Sequence, residues 1–425
     1  MGTVNLQTMG AWPSGVDQVH DIRALQSRKG SRGEPNPAVR AAVNVDFTRE
    51  GKPHRRSGYS EVSAGYAQSL WSPDSATFGL MVKDAQIQRL GADGTLTALG
   101  AVNPVRRMAY CEAAYRVYLS NGIERFILDS ELRPWGIDAP GLPAIMAAGF
   151  GGLDAGTYKV NATAFDAFGE ESGCGESATV TLTTGQGIML DLIPNPPGAA
   201  WIQFYVSPPN GDVLYASKRL PAGITSYVIS RADLVTGKML DTQFCERVPA
   251  ASILCAFRGR IYFGVGTRLF YTMPLRYGLF KRHESYLPVP SNITGIVATN
   301  ETMYVGTEKG VFAFSGDDPI TMQRRDVDGF GMVLGTATRL RRGDEISALW
   351  WSKEGVLYRA GSDGVRALTR NRLALPEFKA GAILHREQDG FSQLVSTLKG
   401  AGPSNTFTAR DRFSANVMRN GVVIN

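Results

Sequence analysis

Histidine and cysteine are scarce in this 425-residue chain, four of each, and their placement removes most metal chemistry. His20, His54, His283 and His385 fall at no HxxxH or HExxH spacing, and Cys111, Cys174, Cys245 and Cys255 form no CxxC pair. A zinc site therefore has no ligand set to start from. Four scattered cysteines are also too few to staple a chain of this length, so they are expected to be reduced and buried. No window approaches the roughly 18 apolar residues that a membrane-spanning helix needs. The opening residues lack the basic and apolar regions of a signal peptide, and Leu6 stands where a myristoylation motif requires Ser or Thr. No membrane insertion is expected, and the product should stay soluble where it is made.

Catalytic signatures are missing too. There is no GxSxG elbow, no Walker loop, and no GxGxxG run leading into a helix. Gly264-Val265-Gly266 lies inside a hairpin pattern and reads as a bulge or tight turn. Asp317, Asp318, Asp326 and Asp328 are of the type that a glycosidase pairs across a scissile bond. Beside Gly and Pro they read as solvated turn residues instead. No catalytic, metal or cofactor-binding residue is assigned, no cofactor is expected, and the chain is read as a non-enzyme.

Helical periodicity is hard to find; the best stretch, Pro376 to Leu384, is short and opens on Pro. What is abundant is punctuation: 48 Gly and 22 Pro spread along the chain, the pattern of many short strands and turns. A strand, a short polar turn and a second strand recur at Phe78 to Leu99, Tyr115 to Leu128, Phe257 to Met273, Thr302 to Ser315 and Leu349 to Leu368. His385 to Leu398 is a weaker copy. Asn121-Gly122 and Asp93-Gly94 are turn dipeptides that tolerate positive φ, which predicts antiparallel hairpins there. A lone hairpin cannot bury its faces, so about six copies at intervals of roughly 35 to 60 residues predict stacked propeller blades. The fold expected is all-β, a six- or seven-bladed β-propeller; a large sandwich or irregular β protein is the alternative.

Charge divides the chain. Between Pro143 and Ile229 lie seven acids (Asp154, Asp166, Glu170, Glu171, Glu176, Asp191, Asp212) and three bases (Lys159, Lys218, Arg219), a net of −4. The whole chain carries +6, so the remainder carries +10. The acidic segment alternates apolar and polar residues from Tyr158 to Ala164 and has further strand patterns at Ala178 to Thr183, Ile188 to Ile193, Trp201 to Ser207, Val213 to Ala216 and Ser226 to Ile229. It reads as an inserted β-sandwich the size of a fibronectin type III or immunoglobulin-like module. The organisation expected is residues 1–142 for an N-terminal arm and the first blades, 143–229 for the insert, and 230–425 for the remaining blades. Residues 26–40 are polar and basic and predict an extended arm, and Phe407 to Asn425 a strand closing onto the first blade.

The basic remainder makes a polyanion the first candidate partner. Arg55, Arg56, Arg324, Arg325, Arg341 and Arg342 are the candidate contacts to duplex DNA, through phosphates and without reading sequence. Further clusters are Arg106-Arg107, Lys281-Arg282, Arg339 and Arg366 to Arg372, each of which is also readable as a solvated turn or ion-pair partner. Trp71, Trp350 and Trp351 are the residues that a carbohydrate-binding propeller would use, although packing is their commoner role.

Several stretches in order resemble the β-propeller tail proteins of short-tailed bacteriophages, the nozzle or tail tubular B family. They run from Gly10-Ala11-Trp12-Pro13-Ser14-Gly15 through Asn44-Val45-Asp46-Phe47, Gly51-Lys52 and Arg55-Arg56-Ser57-Gly58-Tyr59, an "NVD…G…RRxGY" pattern. Val117 to Gly122 and Arg133-Pro134-Trp135-Gly136-Ile137-Asp138 follow, resembling the blade before a fibronectin-like insert. Arg258 to Phe263 and Met303 to Thr307 are similar to the recurring blade strands. The resemblance implies a homohexameric ring in the virion tail below the head-tail adaptor, assembled in the host cytoplasm, with a channel for genome ejection. It also implies docking surfaces for tail fibres or plug proteins. The alternative functions are a receptor- or carbohydrate-binding or -hydrolysing propeller of the virion, and a scaffold propeller of a bacterial cell.

Overall fold

In the computed structural model, residues 63–400 are described apart from 235–236, 329, 371–372, 374, 376 and 389–390. Also described are 21–27, 29, 35, 37–39, 45–47, 52–55, and the strand backbone of 412–418 and 421–424. The fold is all-β: the described residues form six four-stranded meanders of the propeller-blade type, with a two-sheet sandwich inserted between the second and third. The chain forms two compact units, one of Met1–Tyr66, Gly264–Arg268 and Pro288–Asn425, the other of Ala67–Phe263 and Leu269–Leu287.

Blade 1 comprises Ala67–Trp71, Gly79–Lys83, Gln86–Leu90 and Leu96–Ala101, and blade 2 comprises Ala109–Ala113, Arg116–Ser120, Arg125–Leu128 and Leu132–Pro134. Blade 3 is built from Leu254–Phe257, Arg260–Val265, Arg268–Tyr271 and Tyr286–Pro288. Blade 4 holds Ile293–Ala298, Thr302–Thr307, Val311–Ser315 and Gln323–Asp328; blade 5 holds Thr338–Arg342, Glu345–Trp351, Leu357–Gly361 and Gly364–Ala367. In blade 6, Phe378–Gln388, Phe391–Gly400, Arg412–Met418 and Gly421–Ile424 pair in sequence.

The period of two explains why a blade needs neighbours. In blade 2, Val117 and Leu119 join Leu80, Val82 and Ile87 of blade 1 in one core. Tyr118, between them in sequence, points the other way and packs with Trp135, Ile261 and Phe263. Blade 5 does the same with bulkier groups. Trp350 faces the core shared with blade 4, stacked between Tyr304 at 5.4 Å and Tyr358 at 5.6 Å. Trp351 faces blade 6, where its indole Nε1 donates to Ser396 Oγ at 3.0 Å. Both faces of such a strand are buried, so the sequence reads as an apolar run rather than a clean alternation.

The insert has sheets of three strands (Ala144–Ala148, Gly187–Asp191, Ser226–Ile229) and four (Ala178–Leu182, Gly156–Phe165, Trp201–Val206, Tyr215–Pro221). One core lies between them, with Tyr158, Val160, Ala162 and Ala164 facing Ile188, Leu190 and Ile229.

The stretch closest to helical periodicity runs into Phe378–Gln388, an 11-residue strand paired with Phe391–Gly400. The C-terminal strands pair with Phe391–Gly400 and with each other as the third and fourth strands of blade 6. The polar arm is preceded by a helical turn, Ile22–Ser27, whose Leu25 is buried and whose Leu25 carbonyl accepts from the Ala38 amide at 3.1 Å. Much of the expected arm, including 30–34, lies outside the described residues. Two small two-stranded sheets, Val45–Phe47 with Pro53–Arg55 and Glu246–Arg247 with Leu279–Phe280, complete the described strands.

Candidate functional site

Of the six arginines singled out from sequence, four have described side chains. Arg324 and Arg325 occupy the last strand of blade 4, where successive side chains leave opposite faces. Arg324 stacks over the Phe312 ring at 5.2 Å, with Asp326 at 4.0 Å. Arg325 has no carboxylate partner among the described residues. Arg341 and Arg342 lie on the first strand of blade 5, both exposed, and Arg341 Nε donates to the Gly343 carbonyl at 3.1 Å. The structure does not bring the two pairs together. The Arg341 strand packs near the first strand of blade 4, and the Arg324 strand is the fourth, roughly 14 Å away at about 4.8 Å per strand. Arg55 ends a strand paired with Val45, and Arg56 lies outside the described residues.

Other basic clusters are held internally. Arg282 makes a bidentate contact with Glu246 at 2.6 and 2.9 Å, Lys281 meets Glu284 at 3.1 Å, and Arg366 meets Asp363 at 3.1 Å. Arg370 stacks over and donates to Tyr358.

A charged join ties the insert to blade 2, and the sequence reading missed it. Arg133, only 5% exposed, sends Nη2 to Glu170 Oε1 at 2.9 Å and to Asp129 Oδ2 at 3.3 Å, and Nη1 to Asp166 Oδ2 at 3.4 Å. Its guanidinium lies 4.3 Å from the centre of the Phe168 ring. Arg116 adds a second contact to Glu170 at 2.9 Å and one to Asp129 at 3.7 Å. The insert presents its acids from a preformed loop, because Asp166 Oδ1 accepts from the Phe168 and Glu170 amides at 2.9 and 2.8 Å. Burial works against the Arg133 charge, but Glu170, Asp129 and Asp166 outweigh it and the guanidinium holds its proton more tightly than usual. Burial likewise opposes ionisation of Asp129. Bonds from the Glu131 and Ser130 amides and from Arg133 nevertheless hold it below the usual carboxylate range. The available sequence signal was the acid-rich Asp166 to Glu171 stretch in an insert flanked by basic segments.

Most of the insert's negative charge is spent in this way. Glu171 accepts from Tyr205 Oη at 2.5 Å, Lys238 Nζ at 2.6 Å and Thr163 Oγ1 at 2.9 Å. Asp154 pairs with Arg231 at 2.8 Å and Asp212 with Lys159 at 2.5 Å. Only Glu176 and Asp191, of the seven acids, have no salt bridge among the described residues.

The remaining candidates resolve into structure. Trp350 and Trp351 are fully buried and Trp71 is stacked on Tyr110 at 5.3 Å, so these rings are occupied by packing. None of the four cysteines is in a disulfide and all are buried, and burial pushes the Cys174 thiol up to about 12. Asp318 accepts from the Ile320 amide within a turn, whereas Asp326 stands on a strand. Val265 ends a strand and Gly266 takes φ +58 in the turn that follows, the tight turn expected. Among the described residues no group of three or more potential ligands could hold a metal ion, and no helix is long and apolar enough to cross a membrane.

No protein-family model matches the chain, and no curated protein matches it in sequence. Solved structures with similar topology include PorZ of the type-IX secretion system of Porphyromonas gingivalis, 11% identical over 83% of this chain with a TM-score of 0.30. This chain spans 38% of that one. Hsv2 of Kluyveromyces lactis is 8% identical, covering 85% of this chain and 98% of its own, with a TM-score of 0.31. A chain of the yeast Nup82-Nup159-Nup116 nucleoporin complex is 10% identical, covering 84% and 98%, with a TM-score of 0.33.

Proposed function

We propose that this chain is a structural component of a bacteriophage tail, a nozzle-like or tail-tube-like subunit. Copies of it form a homohexameric ring below the head-tail adaptor and line part of the channel for genome ejection. The supporting observation is how charge is disposed. Five of the insert's seven acids are paired within the chain, while Arg324, Arg325, Arg341 and Arg342 stand exposed on blade strands. A few separated guanidiniums offer weak, sequence-independent phosphate contact, which suits a conduit through which a duplex must move. The order of elements supports the same reading, since the sandwich falls between the second and third blades, where the sequence resemblance places a fibronectin-like insert.

The test is an inventory of particles. Mass spectrometry of purified virions should find this chain in the tail, and electron microscopy should show it as a six-fold ring around the bore. Its absence from the tail, or a stable monomer at assembly concentrations with adaptor present, would end the proposal.

A further inference from the structure

A second cluster of arginines, at the junction of blades 2 and 3, has no role in the join between the insert and blade 2. Arg125 opens the third strand of blade 2 and pairs across the sheet with Ser120, whose hydroxyl accepts from the Ala251 amide ahead of blade 3 at 3.0 Å. Arg125 therefore lies on the blade face that carries the core shared with blade 3. Its Nε is buried and has no hydrogen-bond partner. Arg247 approaches from the small sheet beside blade 3, and both arginines are tied to one residue. The Trp135 amide donates to the Arg125 carbonyl at 3.2 Å, and the Trp135 carbonyl accepts from Arg247 Nε at 2.9 Å. A third guanidinium, that of Arg106, comes so close to Gly122 that a Cβ there would lie 3.2 Å from its Nη1. Gly122 also takes φ +81, so a side chain is excluded on both counts.

Against these cations stands little negative charge. Asp138 pairs with Arg247 Nη1 at 2.9 Å and is itself 58% exposed. Glu124 is turned to the Asn103 amide and Glu246 to Arg282. Burial, and then repulsion by Arg247, weaken the hold of Arg125 on its proton, with Asp138 opposing. Buried donors without acceptors are rare, and an ordered ion is one of the few ways that a fold accommodates one. Guanidiniums match the oxygen spacing of phosphate in particular.

We propose that Arg125, Arg247 and Arg106 form a binding site for a phosphate group at the junction of blades 2 and 3. The bound oxyanion accepts from Arg125 Nε, relieves the repulsion between Arg125 and Arg247, and draws in the exposed Arg106. This inference does not depend on the tail reading. The ion has two possible sources, free phosphate or the backbone of duplex DNA.

Thermal melting of the full chain in phosphate and in chloride, at matched ionic strength and pH, tests it. A concentration of phosphate about a hundredfold above Kd should raise the melting temperature by roughly 5 °C. Arg125→Met should melt at or above the wild-type temperature in chloride, because the orphaned donor is gone, and should lose the phosphate response. Arg106→Ala, at an exposed position, should fold normally and need roughly ten times more phosphate, as expected when one charge-assisted hydrogen bond is removed. A short fluorescent duplex separates the sources: competition by phosphate, lost in Arg125→Met, identifies the DNA backbone, and duplex binding insensitive to both identifies the free ion. No phosphate-specific rise in the wild type, or an equal rise in Arg125→Met, overturns the proposal.

Discussion

Replacing Arg133 with Met should loosen the insert from blade 2 without unfolding either. The side chain is 5% exposed and holds three carboxylates, Glu170, Asp129 and Asp166, whose own side chains are only 16–21% exposed. Removing one member of a buried ionic group costs about 3–5 kcal/mol, because the survivors are left desolvated without compensation. Arg116 remains bonded to Glu170 and near Asp129, which lowers the expected loss to about 3 kcal/mol. For a unit of this size that corresponds to a fall of roughly 6–12 °C in its melting transition. The insert has its own core around Val160, Ala162 and Phe204, so its strands should stay protected from hydrogen exchange while the 134–143 connector becomes protease-sensitive. The decisive control is Arg133→Met combined with Glu170→Gln. If the network reasoning holds, the double variant is no worse than the single, because one of the uncompensated charges has been removed. A single-variant loss below about 0.5 kcal/mol, or a double variant showing simple additivity, would refute it.

The two adjacent tryptophans of blade 5 should respond unequally to loss of the indole nitrogen. Trp351→Phe breaks the bond to Ser396 and strands a buried hydroxyl, a loss of about 1–3 kcal/mol, whereas Trp350→Phe removes a buried Nε1 that has no partner and should cost less than about 1 kcal/mol; chemical denaturation separates them. Charge reversal at Arg324, Arg325, Arg341 and Arg342 should leave the melting temperature within about 1–2 °C. It should also flatten the salt dependence of duplex binding, read by anisotropy, with the slope falling by about one for each phosphate no longer neutralised. Asp129 and Asp233 both have folded-state pKa values held below the ordinary range, Asp233 despite burial and through Ser230, Tyr227 and Lys218. Their contribution is therefore complete above about pH 4 and is lost as pH falls through the folded-state values, so melting temperature should be flat from neutrality to about pH 5 and drop below about pH 4. Asp129→Asn should make that drop shallower.

The hairpins were legible because each joins two strands whose alternation or apolar run is bounded by Gly, Asn or Asp. All six recurring segments, from Phe78 to Leu99 through His385 to Leu398, contain paired strands. The first strand of each blade was harder to read. Thr338–Arg342, for example, consists of arginines and a threonine around a single apolar residue, Leu340, which alone is buried, so nothing in its composition resembles a core strand. Turn chemistry misled in a specific way. Asn121-Gly122 and Asp93-Gly94 suggest two-residue hairpin turns, yet both belong to wider loops in which the Asn or Asp side chain accepts amides two or three residues on. The compact turns with left-handed residues at both central positions fall instead at Asp84-Ala85, Ala114-Tyr115 and Arg258-Gly259, and of these Ala114-Tyr115 contains no residue that turn preference marks.

Charge carries the most instructive difference between the two levels. A segment of net −4 set in a remainder of +10 invites an external partner for each. In the folded chain the partner of the acidic segment is largely the chain itself: Arg116 and Arg133 of blade 2, and Arg231 and Lys238 just beyond the insert, take up four of its carboxylates. Composition counts charges without distances, and an ion pair between positions 133 and 170 is invisible until a loop and a strand end meet. Arg125 illustrates the converse, since nothing in its sequence context distinguishes it from the arginines that found carboxylates. Its lack of one becomes visible only in the folded chain, where its Nε is buried without an acceptor and the charge of Arg247 opposes its own. Local like-charge convergence, rather than net charge, is therefore the feature that points to an anion.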